Sequence, residues 1–304
     1  MAGAESSSDS QPLPRAKLSS DRETADIQRP HGKPRSELSL RVASAAVLGV
    51  VALLAAWLGG WAWALLWLAA GLAIVVEWTA MTRVEPRRTV QVLLGAGLVA
   101  LFAVYLLNLP LWAGALVAAA AAAAGFIAGA SSRDRGWAVA GFAYAAVIVL
   151  APTIVRDHPQ AGVVGVLWLF AVVWTSDIVA YFTGRRLGGP KLWPRVSPKK
   201  TWSGFFGGLA GGALAGTLIV VLGQRWGGSP LVSLWLVLLA SAVASILGQL
   251  GDLAESALKR AFDVKDSSQL IPGHGGVMDR LDAFWPVALL AASILAVAAQ
   301  PARG

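Results

Sequence analysis

Two stretches of this chain gather side chains that can handle phosphate and a hard cation. They are Ser176–Gly204, SDIVAYFTGRRLGGPKLWPRVSPKKTWSG, and Gly251–Asp282, GDLAESALKRAFDVKDSSQLIPGHGGVMDRLD. In the first, Asp177, Tyr181 and Gly184 are spaced to share one helix face. Asp177 lies in an otherwise apolar run, where a carboxylate costs about 2.5–3.5 kcal/mol to insert, so it must face a polar cavity or pair with an arginine of another helix. Arg185 and Arg186 follow, and membrane topology alone would account for them. Next, Ser197-Pro198-Lys199-Lys200-Thr201-Trp202 reads as a proline-rigidified turn with two ammonium groups beside two hydroxyls, an arrangement suited to polyphosphate.

In the second stretch, a helix continuing past residue 250 would put Asp252, Ser256 and Lys259 on one face with Glu255 beside them. Glu255 and Lys259 also have the spacing of an ordinary i,i+4 surface pair. The turn Pro272-Gly273-His274-Gly275-Gly276 can expose backbone N–H groups to an anion, or be a plain tight turn. His274 stands either as a general base or as a brace for that turn. Asp279, Arg280 and Asp282 follow at once. Transfer of a phosphorus centre depends on positioning and charge neutralisation more than on a covalent protein nucleophile. Carboxylates suit Mg²⁺, which takes oxygen ligands, and Lys and Arg suit phosphate.

These groups must be held by membrane helices. Of 304 residues 56% are hydrophobic and 14% charged, whereas a soluble domain carries about 25% charged. Apolar runs fall at 42–58, 61–76, 90–107, 109–130, 137–155, 163–182, 205–222, 231–250 and 284–299. Each is near the ~20 residues that cross a ~30 Å hydrocarbon core. The sequence therefore predicts an all-α polytopic membrane protein of nine spans. With the N-terminus cytoplasmic, all but three of the 25 Lys and Arg lie inside, leaving Arg156, Arg225 and Arg303 outside. That asymmetry explains the net charge of +8 and removes any need for a nucleic-acid partner. With no Cys and three His, disulfides and thiolate or His-rich metal sites are excluded. The tryptophans named by their place near span ends, Trp57, Trp61, Trp112, Trp137 and Trp226, read as an interfacial belt. Residues 1–40 read as a disordered cytoplasmic tail without a signal peptide. Residues 41–162 read as helices one to five, and 163–304 as helices six to nine with catalytic loops 183–204 and 251–283.

The ungapped run from Ser256 through Lys259-Arg260, Lys265-Asp266 and Ile271–Gly276 to Asp279-Arg280-Leu281-Asp282 resembles the signature of the phosphatidate cytidylyltransferases. The stretches Asp177–Arg185 and Ser197–Trp202 resemble that family as well. The likeness covers about residues 165–290; the N-terminal half is similar only in being hydrophobic. Two positions depart from the pattern: Ser203 stands where the family usually has Glu, and Ala283 where Ser often follows the last Asp.

The resemblance implies that a phosphate oxygen of phosphatidate attacks the α-phosphorus of CTP, releasing pyrophosphate and forming CDP-diacylglycerol. It implies Mg²⁺ as cofactor, with Asp252 and Asp279 as ligands. Lys259 and Arg280 join them as catalytic candidates. The substrate-contacting candidates are Asp177, Tyr181, Ser197, Lys199, Lys200, Thr201, Ser256, Lys265, Gly273, His274, Gly275 and Gly276. The site is expected at headgroup depth on the cytoplasmic face of the inner membrane, and a homodimer is an expectation of the family alone. Two other classes compete. A CTP-dependent lipid kinase would transfer the γ-phosphoryl. A transporter of anionic solutes would show internal repeats, which this sequence lacks.

Overall fold

The computed structural model describes residues 34–225, 233–271 and 275–298. They form α1 (Pro34–Leu58), α2 (Gly60–Thr82), α3 (Arg87–Leu106), α4 (Leu111–Ala128), α5 (Ser132–Asp157), α6 (Gly162–Leu187), β1 (Lys191–Trp193), β2 (Ser197–Thr201), α7 (Trp202–Arg225), α8 (Leu234–Ala261), α9 (Met278–Leu281) and α10 (Phe284–Ala298). Seven helices, α2 to α8, are long and apolar enough to cross a membrane; the apolar part of α1 (Val42–Leu58) and α10 are shorter. The chain is thus an α-helical membrane protein with almost no strand. Of the expected tail, residues 1–33 lie outside the described residues, while α1 already begins at Pro34, a residue suited to a first helical turn.

Several helices outrun their apolar runs, and this matters for the chemistry. Helix α2 continues to Thr82 and carries Glu77 with it. Helix α6 continues to Leu187. Residues 251–261, expected in a loop, are the last turns of α8. No Gly or Pro interrupts positions 252–261, and the Glu255–Lys259 pair supports the added turns. A second correction concerns Ser197–Thr201. This stretch is not a turn but the second strand of a two-stranded antiparallel ribbon, with Lys191 opposite Thr201 and Trp193 opposite Ser197. Pro198 is tolerated there because each strand of such a ribbon is an edge.

Helices α2, α3, α4 and α5 pack together, as do α6, α7 and α8, and α10 lies against α5, α8 and α6. Buried aromatic rings join the groups: Trp67 stacks on Phe284 at 4.8 Å, and Trp63 meets Trp67 edge-on at 5.2 Å. Trp57, Trp61 and Trp112 are exposed as an interfacial belt requires, but Trp63 and Trp67 belong to the core, and Trp137 packs on Trp78 and Phe262. Trp226 lies outside the described residues.

The closest packing is between α6 and α7. Gly204, Gly208, Gly212 and Gly216 lie one turn apart on α7, facing α6. A Cβ on Gly208 would sit 2.9 Å from the Ser176 carbonyl oxygen, and one on Gly216 would sit 2.6 Å from a Val172 methyl. Backbones approach this closely only without side chains between them. Hydroxyls fill what remains. Ser176 and Ser245 share a hydrogen bond of 2.7 Å, Ser245 donates to the Gly208 carbonyl, and the Trp168 indole donates to Ser241. This seam locks together the helices that carry Asp177 and Asp252.

Gly208→Val should therefore drive a side chain into rigid backbone and cost about 1–3 kcal/mol. It is expected to lower the melting temperature and folded yield in detergent, whereas Gly49→Ala, with open space around it, should leave both unchanged.

Candidate active site

The site is built at one end of α6, α7 and α8. In β2, alternate residues point to opposite sides, so Lys199 and Lys200 diverge. Lys199 is exposed. Lys200 turns inward and pairs with Asp252 on α8, Nζ to Oδ2 2.5 Å. The other carboxylate oxygen of Asp252 accepts from Ser256, one turn later, at 3.3 Å. The shared face of Asp252, Ser256 and Lys259 is thus formed, because the helix does continue. Asp177 is exposed on α6, and its electrostatic neighbours are Asp252, Lys200 and Arg280. Five expected site residues from four segments meet here.

A second cluster lies beside it. Lys259 Nζ is 2.7 Å from Asp279 Oδ1 and 3.2 Å from Glu255 Oε1. Glu255 and Lys259 do form an i,i+4 pair, but a largely buried one. Asp279 Oδ2 accepts from the Ser267 amide at 2.9 Å, the Ser267 hydroxyl at 3.0 Å and the Gly276 amide at 2.8 Å. Burial alone would raise the Asp279 carboxyl, but Lys259 and these amides hold it below the usual carboxylate range. Asp282, one turn on, feels the opposite balance. Burial, then the like charge of Asp252, push it up to about 7.

Other expected residues have local duties. The Thr201 hydroxyl accepts from the Gly204 amide at 3.1 Å, so it caps α7, and it is buried. Ser203 bonds the Gly188 carbonyl and the Thr201 hydroxyl, tying the start of the ribbon to the start of α7. Tyr181 takes a 2.7 Å hydrogen bond from Arg185. With Phe182 and Arg186 these two residues line an open cavity of about 870 Å³. Lys265 is exposed on the segment between α8 and α9. Gly275 has φ +82°, and a Cβ there would sit 2.8 Å from Asp279 Oδ2. Gly273 and His274 lie outside the described residues.

The glycine turn was expected to offer backbone donors to phosphate. Of its described residues, Gly276 donates its amide to Asp279, and just after the turn the amides of Val277 and Met278 donate to Glu77. Glu77 is the residue that motif reading missed. It had one sequence signal, as the lone acid in a long apolar stretch of the N-terminal half.

Residues 39–298 match the model of the cytidylyltransferase family. A Brucella abortus protein named phosphatidate cytidylyltransferase is 39% identical over 269 residues, covering 88% of this chain and 96% of the relative. Proteins of the same name from Bacillus subtilis and Staphylococcus epidermidis are 43% identical over 130 residues and 47% over 119. These cover 43% and 39% of this chain, and 46% and 44% of the relatives. With the match running from the first helix to the last, the chain belongs to the cytidylyltransferase family.

Proposed function

We propose that this chain is a phosphatidate cytidylyltransferase of the bacterial inner membrane. The observation that carries this reading is the meeting of Lys200 with Asp252 and of Lys259 with Asp279, at the ends of apolar helices. Both pairs lie on a chain that aligns with 96% of a relative bearing that name. A phosphate oxygen of phosphatidate forms a bond to the α-phosphorus of CTP, the bond from that phosphorus to the pyrophosphate breaks, and CDP-diacylglycerol results. The phosphate monoester is already anionic near neutral pH, so no strong base is required.

Mg²⁺ fits the donor set, which is all oxygen. Mg²⁺ is commonly held by one or two carboxylates, with water and substrate phosphates completing its shell. Asp252 and Asp279 are the proposed ligands. When bound, the ion supplies charge neutralisation for the triphosphate and the leaving pyrophosphate. Lys200 and Lys259 hold these carboxylates in place, and with Arg280 and Lys199 they bring positive charge to the phosphates of CTP and phosphatidate.

Nine crossings with a cytoplasmic N-terminus complete the reading. The lysine and arginine asymmetry supports it, and it turns the cluster toward the compartment that holds CTP.

The direct test gives the purified protein phosphatidate, Mg²⁺ and CTP labelled at either the α- or the γ-phosphorus. The α-label should enter lipid and the γ-label should leave as pyrophosphate. A γ-label in lipid would instead mark a lipid kinase, and no labelled lipid at all would sink both readings. Within the site, Lys200→Ala should lower kcat/KM by about tenfold or more, roughly 1.4 kcal/mol. Arg186→Ala, at the exposed end of α6, should change it far less; similar, near-normal kinetics for both variants would count against the role of Lys200.

A further inference from the structure

Glu77 stands in the half of the chain that carries none of the signature, yet it is 2% exposed and reaches the segment around the glycine turn. Four donors converge on its carboxylate, and all come from residues 267–278. The Ser267 hydroxyl lies 3.2 Å from Oε2 and the Ser268 hydroxyl 2.7 Å from Oε1. The Val277 amide donates to Oε1 and the Met278 amide to Oε2, both at 2.8 Å. These amides begin the short helix α9, which carries Asp279 and Arg280. A carboxylate from a distant helix thus serves as the cap that Val277 does not provide.

The arrangement constrains the turn on both sides. The Ser267 amide donates to Asp279 and its hydroxyl, with one proton, lies within reach of both Asp279 and Glu77, so the two carboxylates are set from one residue. A Cβ on Gly276 would lie 1.9 Å from the Ser267 hydroxyl and 2.7 and 2.8 Å from the Glu77 oxygens, so the close approach of Ser267 and Glu77 together requires glycine there. Shifting Glu77 would move the Gly276 amide and release one donor from Asp279.

We infer that Glu77 is a positioning residue of the reaction: it fixes Val277 and Met278, where α9 begins, from outside, and so sets Asp279 to receive metal-bound CTP. The inference rests on the cytidylyltransferase reading of the site. A purely structural staple would lower the amount of folded enzyme and leave the affinity of each folded molecule unchanged.

The test measures equilibrium binding of labelled CTP in saturating Mg²⁺ without phosphatidate, on the full chain in detergent, alongside its melting temperature. Glu77→Gln keeps the size but loses an acceptor facing an N–H group, and should weaken binding by about fivefold or more per folded molecule. Ser268→Ala removes one donor from the same carboxylate and should weaken it by about two- to threefold. If Glu77→Gln does not fold, Ser268→Ala decides alone. Unchanged affinity in the folded variants, with any loss of turnover tracking the folded fraction, overturns the positioning role. A wild-type protein that binds Mg²⁺ and CTP yet forms no CDP-diacylglycerol overturns the activity reading, and the binding comparison still decides the role of Glu77.

Discussion

Three carboxylates placed at the end of a membrane bundle, Asp252, Asp279 and Glu77, each draw their own partners, and those pairings organise the site. Asp252 takes Lys200, Asp279 takes Lys259, and Glu77 takes amides and hydroxyls from residues 267–278. Hydrogen bonds to a charged group contribute about 1.5–3 kcal/mol each, and an unsatisfied buried charge costs more. The turn, α9 and the end of α8 are therefore fixed by what their acidic groups need. Ser267 is the shared element, with a hydroxyl 3.2 Å from Glu77 and 3.0 Å from Asp279. It has a single proton to donate, so the two acceptors are coupled through it.

The helices supply the frame for this balance. The α6–α7 glycine seam brings Asp177 near Lys200 and Asp252 without a loop having to search for them. The ribbon of β1 and β2 then acts as a short arm, rooted by the Thr201 cap and the Ser203 bond to Gly188. Ser203 serves here as a local structural contact. Helix α10 and the ring stack of Trp67 on Phe284 join the N-terminal helices to this frame, which allows Glu77 on α2 to reach the turn.

Much of this was legible in the sequence, for physical reasons. Each long apolar run became a helix, because the membrane imposes both length and polarity. The face shared by Asp252, Ser256 and Lys259 followed from helical spacing once the helix continued. What depended on distant partners was not legible. The contact between Glu77 and Met278 spans 201 positions, beyond any periodic signal. The ribbon at Ser197–Thr201 is too short for an alternation pattern, and its proline argued for a turn. That the Gly276 amide serves Asp279, and the Val277 amide Glu77, could not be read from spacing alone.

The central claim is that carboxylates of the fold, Glu77 above all, hold the amides that lead into α9. Backbone amide hydrogen exchange across residues 265–281 tests it most directly, in wild-type protein and in Glu77→Gln. The account predicts protected amides at Val277 and Met278 in the wild type, with exchange about tenfold or more faster in the variant, as expected for a lost charged hydrogen bond, while the middle of α8 stays unchanged. Equal protection of these amides in both proteins would contradict it.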